Sequence, residues 1–111
     1  MLLIELYQEE KSSTFTHDGQ EYNLNKLLVL TDKFSTRPFK IDSIKWILKG
    51  IKLDDERVQS ADVNAPLLVT WWNKTLVVLD GTHRVKKAVE MGLSELQGKF
   101  VYKDVLDKCK I

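Results

Sequence analysis

Residues 76–84 read Leu-Val-Val-Leu-Asp-Gly-Thr-His-Arg, and this stretch decides the fold prediction. Its first part, Leu76–Leu79, is apolar and typical of a buried β-strand, and Val85–Met91 continues as an amphipathic helix. A strand that runs directly into a helix points backbone N–H groups and the positive end of the helix dipole at the space in front of it. Because His83 and Arg84 flank that space, the stretch predicts an anion-binding junction.

The composition indicates one small folded domain. The chain has 111 residues, and its 43% of hydrophobic side chains is enough for one core without disulfide or metal support. Cys109 is the single cysteine and has no disulfide partner, and neither His17 nor His83 has the spacing of a zinc ligand. A reducing, cytoplasmic setting without a structural metal is therefore expected.

The charge is balanced along the chain. The 17 basic and 16 acidic side chains are well mixed, so we do not expect this chain to bind nucleic acid by electrostatics alone. The N-terminus has no basic lead before an apolar stretch, and no run approaches the length of a membrane span. We therefore expect neither a secretory signal nor a membrane partner.

The N-terminal part predicts strands. Leu2–Tyr7 has the composition of a first strand, and Asp18-Gly19 favours a tight turn between residues 15–16 and residues 21–22. Leu24–Thr31 has apolar residues at helical spacing, but its centre is equally consistent with a buried strand. Periodicity alone leaves these two alternatives open.

A clearer helix is predicted after Arg37-Pro38, ending at Gly50. Asp42 or Ser43 can cap it, and Trp46 lies off its apolar stripe. The stripe consists of Ile44, Ile47, Leu48 and Ile51. The polar residues 54–57 that follow are typical of a solvated helix turn or loop.

The C-terminal half predicts an antiparallel pair of strands as the centre of the sheet. Residues 67–72 are rich in β-branched and aromatic side chains, Asn73-Lys74 forms a turn, and residues 75–79 return. The helix after the motif is expected to bury Val85, Ala88 and Val89 and to end at Gly92. The remaining predictions are a strand at residues 100–102 and a short helix at residues 104–110.

Each residue of the motif has a chemical role that suits a phosphate. Gly81 allows a sharp turn and close approach of a ligand, and Thr82 can cap the helix or donate its hydroxyl. Arg84 can donate two hydrogen bonds to phosphate oxygens, and His83 can donate one or exchange a proton near neutral pH. Asp80 can orient His83, bind a cation beside a triphosphate, or act as a base. The alternative is that Asp80 caps the helix or pairs with Arg84 and no ligand binds.

The motif resembles the signature of the ParB/sulfiredoxin superfamily, in which a strand is followed by Asp-Gly-x-His-Arg and then by a helix. The resemblance covers residues 24–102, with residues 1–23 as an N-terminal β extension and residues 103–111 as a C-terminal helix. It implies an α+β fold, with a mixed sheet of four to five strands and two to four helices. It also implies a phosphate-binding cradle at Gly81–Arg84.

The sequence departs from each branch of that superfamily. Sulfiredoxins carry a reactive cysteine at the position of Thr82, and a hydroxyl cannot replace a thiolate in sulfinic-acid repair. Chromosome-partitioning ParB proteins bind CTP through a Gly-Glu-Arg-Arg box, which this chain lacks. Ser43 and the bulky Trp46 fall where sulfiredoxins use polar and basic residues to bind ATP. Free serine kinases, which transfer a phosphoryl group from a nucleotide, carry an Asp-Gly-x-x-Arg loop like the one in this chain.

The resemblance implies a nucleotide- or phosphate-binding domain that catalyses phosphoryl transfer or phosphoester hydrolysis. The expected cofactor is a nucleoside triphosphate, ATP or CTP, with Mg²⁺. Asp80 and His83 are the expected catalytic residues. The expected cofactor-binding residues are Arg37, Gly81, Thr82, His83 and Arg84.

Two alternatives come from other functional classes. One is a DNA-binding or nuclease-type ParB-like protein of a phage or plasmid, with Trp71 or Trp72 stacking on bases and Lys86, Lys87 and Lys99 near the backbone. Adjacent strand residues face opposite sides, so at least one of the two tryptophans is expected in the core. The other alternative is a non-catalytic regulatory module that forms a partner surface or a homodimer.

Overall fold

The computed structural model describes residues 14–111, which form two compact units: residues 14–33 with 102–111, and residues 34–101. The predicted strand at Leu2–Tyr7 lies outside the described residues. Compact units need not coincide with domains, so a single domain with a core at residues 24–102 stays a prediction. In chain order the elements are β1 (Thr14–His17), β2 (Gln20–Asn23), α1 (Leu24–Thr31), β3 (Arg37–Lys40), α2 (Ile41–Ile44), a 3₁₀ helix (Lys45–Leu48), α3 (Asp55–Ser60), β4 (Leu67–Trp72), β5 (Thr75–Asp80), α4 (Thr82–Glu90), β6 (Glu95–Phe100) and α5 (Lys103–Asp107).

The first unit begins with the predicted hairpin. β1 and β2 pair antiparallel around Asp18 and Gly19, whose φ angles of 52° and 77° match the turn that Asp-Gly favours. Residues 24–31 are a helix, not a strand, because the Asn23 side chain caps the first turn by accepting a hydrogen bond from the Lys26 N–H at 3.0 Å. The ambiguity of that segment is thus resolved by its cap.

The last helix of the first unit is shorter than predicted. α5 ends at Asp107 instead of Lys110. After it the backbone bonds to β2, where Asn23 N–H donates to the Cys109 carbonyl at 2.8 Å and Ile111 N–H donates to the Glu21 carbonyl at 3.0 Å. Lys108, Cys109 and Lys110 still donate to the carbonyls three residues before them, so α5 passes into a turn before the chain reaches β2.

The second unit is built on a four-stranded mixed sheet with the order β3-β6-β4-β5. β4 pairs antiparallel with β5 and parallel with β6, and β3 pairs antiparallel with β6. The predicted β4–β5 pair is confirmed, but of these two strands β4 is interior, whereas β5 lies at an edge of the sheet that the described residues form. Together the units give the α+β architecture with a mixed sheet that the sequence predicts.

Two strands of this sheet differ from the prediction. β3 was not expected, since Arg37–Lys40 contains a proline and has one buried side chain, Phe39. β6 lies at Glu95–Phe100, not at residues 100–102, and its inward positions are Leu96 and Gly98. A Cβ at Gly98 would lie 2.9 Å from the Phe39 ring, so there is no room for a side chain at this buried position. The sequence therefore lacks the apolar residue that would have indicated a buried strand position there.

The helix predicted after Arg37-Pro38 begins earlier and without the predicted cap. α2 starts at Ile41, neither Asp42 nor Ser43 caps it, and the chain tightens into the 3₁₀ helix at Lys45. The 3₁₀ helix ends at Leu48, so Ile51 lies beyond it, does not join the apolar stripe and is 48% exposed. Trp46 lies off the stripe as predicted, and its indole N–H donates to the Leu76 carbonyl on β5 at 2.9 Å.

One apolar core joins the sheet to α2 and α4. α4 buries Val85 and Ala88, whereas Val89, which was expected inside, is 39% exposed. The polar segment after Gly50 forms α3, which Asp54 caps and whose Val58 is buried. The buried core residues are Phe39, Ile41, Ile44, Leu67, Val69, Val78, Val85, Ala88 and Leu96. Among the described helices, none has both the length and the apolar character that crossing a membrane requires.

Candidate functional site

The motif lies at a strand-to-helix junction, as the sequence predicts. Asp80 ends β5, Gly81 is the N-cap residue of α4, and Thr82 is the first helical residue. Thr82 therefore does not cap the helix, because the chain turns one residue earlier. Gly81 has a φ of 115°, and a Cβ there would collide with the Leu67 side chain and lie 3.2 Å from the Arg84 guanidinium. Only glycine satisfies both constraints.

The first turn of α4 presents backbone donors without a side-chain cap. Val85 N–H is the first to bond within the helix, donating to the Gly81 carbonyl at 3.0 Å. The N–H groups that precede it have no intrahelical acceptor, and Gly81 has no side chain to supply one. This end of the helix is therefore suited to an anion.

An open cavity of about 310 Å³ lies in front of this junction. One side is the junction itself, and the other is α3 with the two residues that follow it. The lining residues are Arg57, Ser60, Ala61, Asp62, Asp80, Gly81, His83 and Arg84. The walls thus carry two guanidinium groups, two carboxylates and one imidazole.

The two guanidinium groups of the cavity differ in their partners. Arg84 Nη1 donates to the Pro66 carbonyl at 3.2 Å and lies 3.7 Å from the Asp80 carboxylate, with both side chains about one quarter exposed. The Arg57 side chain forms no hydrogen bond and no ion pair with any of residues 14–111. Arg57 is therefore the cation of the cavity whose donors are available to a ligand.

The carboxylates of the cavity are engaged by the protein. Asp62 Oδ1 accepts a hydrogen bond from Asn64 N–H at 2.9 Å, which stabilises the turn after α3, and it does not pair with Arg57. Asp80 is the ion-pair partner of Arg84, the contact that the sequence left as an alternative to ligand binding. No group of three or more metal-ligating side chains occurs in residues 14–111.

His83 lies in the cavity as a neutral base. Partial burial and the nearby Arg57 guanidinium hold the pKa of His83 below its ordinary value of 6.5, while Asp54 acts in the opposite direction. The imidazole is therefore uncharged at pH 7. It can accept a proton, and an anion nearby would favour its protonated form by raising its pKa.

The lowered pKa of His83 predicts a pH effect on stability. The unfolded chain binds the proton first, so the contribution of His83 is fully present above about pH 6.5 and is lost as the pH falls through the lower folded pKa. NMR titration of the ring, with His83→Gln to assign it against His17, gives the pKa directly. A His83 that titrates at or above pH 6.5 would contradict this electrostatic environment.

Comparison with solved structures identifies the fold. The crystal structure of sulfiredoxin from Arabidopsis thaliana is similar to this chain with a TM-score of 0.50, over 67% of this chain and 94% of that chain. The chain has a sulfiredoxin-like fold. Sequence identity is 17%, so the similarity concerns the fold alone. No protein-family model matches the sequence, and a search of curated proteins found no match.

The sulfiredoxin-like fold does not bring Arg37 to the junction. Arg37 lies on β3, at the opposite edge of the sheet from β5, and it is not among the residues that line the cavity. Its guanidinium carbon lies 5.3 Å from the centre of the Phe39 ring and 5.0 Å from that of Phe100. Cation–π contact with these rings accounts for the arginine at this position.

Among the residues proposed for nucleic-acid contact, Lys86 and Lys87 have partners within the protein. Trp71 is 56% exposed and Trp72 is half-buried, in line with their opposite directions on β4. Lys86 Nζ lies 3.9 Å from the Glu90 carboxylate. Lys87 Nζ donates to the Gln59 carbonyl on α3 and to the Ala61 carbonyl. These contacts remove Lys87 from the set of exposed phosphate ligands.

Arg57 and Ser60 are the cavity residues that sequence reasoning undervalued. From the sequence, Arg57 and Asp62 could equally line the cleft or form an exposed ion pair, and Ser60 was not singled out; the structure places all three at the cavity. The spacing of three residues between Arg57 and Ser60 places both on one side of α3. That spacing was visible in the sequence, but the packing of α3 beside α4 was not.

Proposed function

We propose that the protein binds the phosphate groups of a nucleotide in the cavity between α3 and the N-terminus of α4. The observation that carries the proposal is the unpaired Arg57 guanidinium across the cavity from uncapped N–H groups of α4. A cation and a row of oriented backbone donors are the two features that phosphate sites at helix N-termini combine.

The remaining cavity residues complete this role. Ser60 supplies a hydroxyl whose position is set by a 3.4 Å hydrogen bond to the Arg57 carbonyl, and His83 supplies a group whose protonated form an anion nearby would favour by raising its pKa. Arg84 adds positive potential while it stabilises the loop at Pro66. With Asp62 and Asp80 facing the same space, a ligand that carries Mg²⁺ fits better than a bare polyanion, because Mg²⁺ is typically bound by one or two carboxylates together with phosphates.

Phosphoryl transfer and phosphoester hydrolysis are the reactions that such a site would serve. Neutral His83 is in the protonation state that a general base requires. Asp80 is partly neutralised by Arg84, so we assign it the weaker role of orienting a cation or an acceptor hydroxyl. Sulfinic-acid repair is excluded from the proposal because Thr82 has no thiolate to offer.

Calorimetric titration at pH 7 tests the proposal, with ATP, CTP, GTP and pyrophosphate each measured with and without Mg²⁺. We expect saturable binding of at least one of them, accompanied by a rise in the pKa of His83 in the complex. Lys49→Gln is a matched control, since Lys49 is an exposed cation outside the cavity and its loss should leave binding unchanged. Absence of binding for all four probes, with the His83 resonances unmoved, would refute the proposed function.

A further inference from the structure

Lys87 connects α4 to the C-terminal end of α3 by two hydrogen bonds. Its Nζ donates to the Gln59 carbonyl at 2.7 Å and to the Ala61 carbonyl at 2.9 Å. Lys87 is three residues after Arg84, so both side chains leave the same face of α4 and bond carbonyls of residues 59–66. Arg84 and Lys87 thus both donate hydrogen bonds to backbone carbonyls of α3 and of the segment that follows it.

α3 needs an external partner at its C-terminal end. The helix has six residues, too few for independent stability in water, and the last carbonyls of a helix have no intrahelical donor. Asp54 caps the N-terminal end, where its side chain accepts from Glu56 N–H at 2.9 Å. At the other end, Lys87 supplies both the missing donors and a positive charge, which is favourable at a helix C-terminus.

We propose that Lys87 is a positioning residue, which fixes Arg57 and Ser60 of α3 at the distance from the α4 N-terminus that ligand binding requires. This inference rests on the proposed function for its ligand but not for its geometry. Lys87 does not line the cavity, and it acts through the carbonyls of Gln59 and Ala61. The buried side chain of Val58 keeps α3 on the core, so loss of Lys87 should shift α3 without unfolding the unit.

The pKa of His83 reports this position without any ligand. Arg57 lowers that pKa from across the cavity, whereas Asp54 at the start of α3 raises it. If Lys87→Met releases the C-terminal end of α3, Arg57 moves away from His83 and the pKa rises towards 6.5. Loss of a positive charge also raises the pKa directly, so Lys86→Met on the same helix is the matched control for charge.

The decisive measurement is a cycle of four proteins titrated by NMR: wild type, Lys87→Met, Arg57→Gln and the double variant. In the wild-type background, we expect Lys87→Met to raise the His83 pKa more than Lys86→Met does. In the Arg57→Gln background, we expect Lys87→Met to raise that pKa no more than Lys86→Met does. A Lys87→Met effect equal to that of Lys86→Met, or undiminished in the Arg57→Gln background, would overturn the inference. Lys87→Arg, which keeps the charge and the donors, should restore the wild-type pKa, and it serves as the test variant if Lys87→Met does not fold.

Ligand affinity gives the second readout. For whichever of ATP, CTP, GTP or pyrophosphate binds the wild type, we expect Lys87→Met to weaken binding about tenfold and Lys86→Met less than twofold. Unchanged affinity in Lys87→Met would overturn the positioning role at the ligand site. If the wild type binds none of the four, the proposed function fails, while the four-protein cycle still decides whether Lys87 positions Arg57.

Discussion

Gly81→Ala is expected to lower the free energy of unfolding by about 3 kcal/mol. Two costs combine at this position. A φ of 115° is strained for any residue with a Cβ, and the added methyl group would overlap the buried Leu67 side chain. Relief requires a shift of β4, of the Arg84 side chain, or of the start of α4.

Gly50→Ala is the matched control for the strain alone. Gly50 has a φ of 75°, and a Cβ there would meet nothing within 4 Å, so we expect a cost of about 1–2 kcal/mol. Urea denaturation of both variants measures the difference. Equal destabilisation by the two substitutions would mean that the contact with Leu67 does not constrain the junction.

Arg57→Gln is expected to weaken binding of the proposed phosphate ligand between tenfold and a hundredfold. A hydrogen bond to a charged group contributes about 1.5–3 kcal/mol, and each 1.4 kcal/mol is a factor of ten in Kd. The same substitution should leave the melting temperature within about 1–2 °C of wild type, because the exposed Arg57 side chain has no partner among the described residues.

Two comparisons make the Arg57 result interpretable. Lys49→Gln removes one positive charge elsewhere on the same unit and should change Kd less than twofold, so it reports long-range electrostatics. Raising the salt concentration from 0.05 to 0.5 M should weaken wild-type binding more than Arg57→Gln binding. If the Arg57→Gln variant bound the ligand with wild-type affinity, the cation that binds the phosphate would be Arg84 and not Arg57.

The junction was predictable from sequence because several local signals agree there. An apolar strand, one glycine and a helix with small inward residues leave few alternatives for residues 76–91. The β1–β2 turn was predictable for the same reason, since Asp-Gly favours the positive φ angles that Asp18 and Gly19 adopt. Both features depend on neighbours in sequence and not on distant packing.

The features that were missed depend on tertiary packing. β3 forms from a segment with one buried side chain, and the position of Gly98 in β6 is fixed by the Phe39 ring beside it. Arg57 becomes a site residue because α3 packs beside α4. No periodicity within residues 54–60 carries that information, so the sequence located the junction but could not decide whether Arg57 lines the cavity or forms an exposed ion pair.

The hydrogen bond from Trp46 to the Leu76 carbonyl bears on the solubility of the folded protein. β5 is an edge strand of the sheet within residues 14–111, and exposed edges are where a strand from another molecule adds to a sheet and starts aggregation. The indole bonds one carbonyl of this edge and covers it with a large ring. A strand arriving at Leu76 would have to compete with an indole that is tethered in place, which makes growth of the sheet in this direction unfavourable.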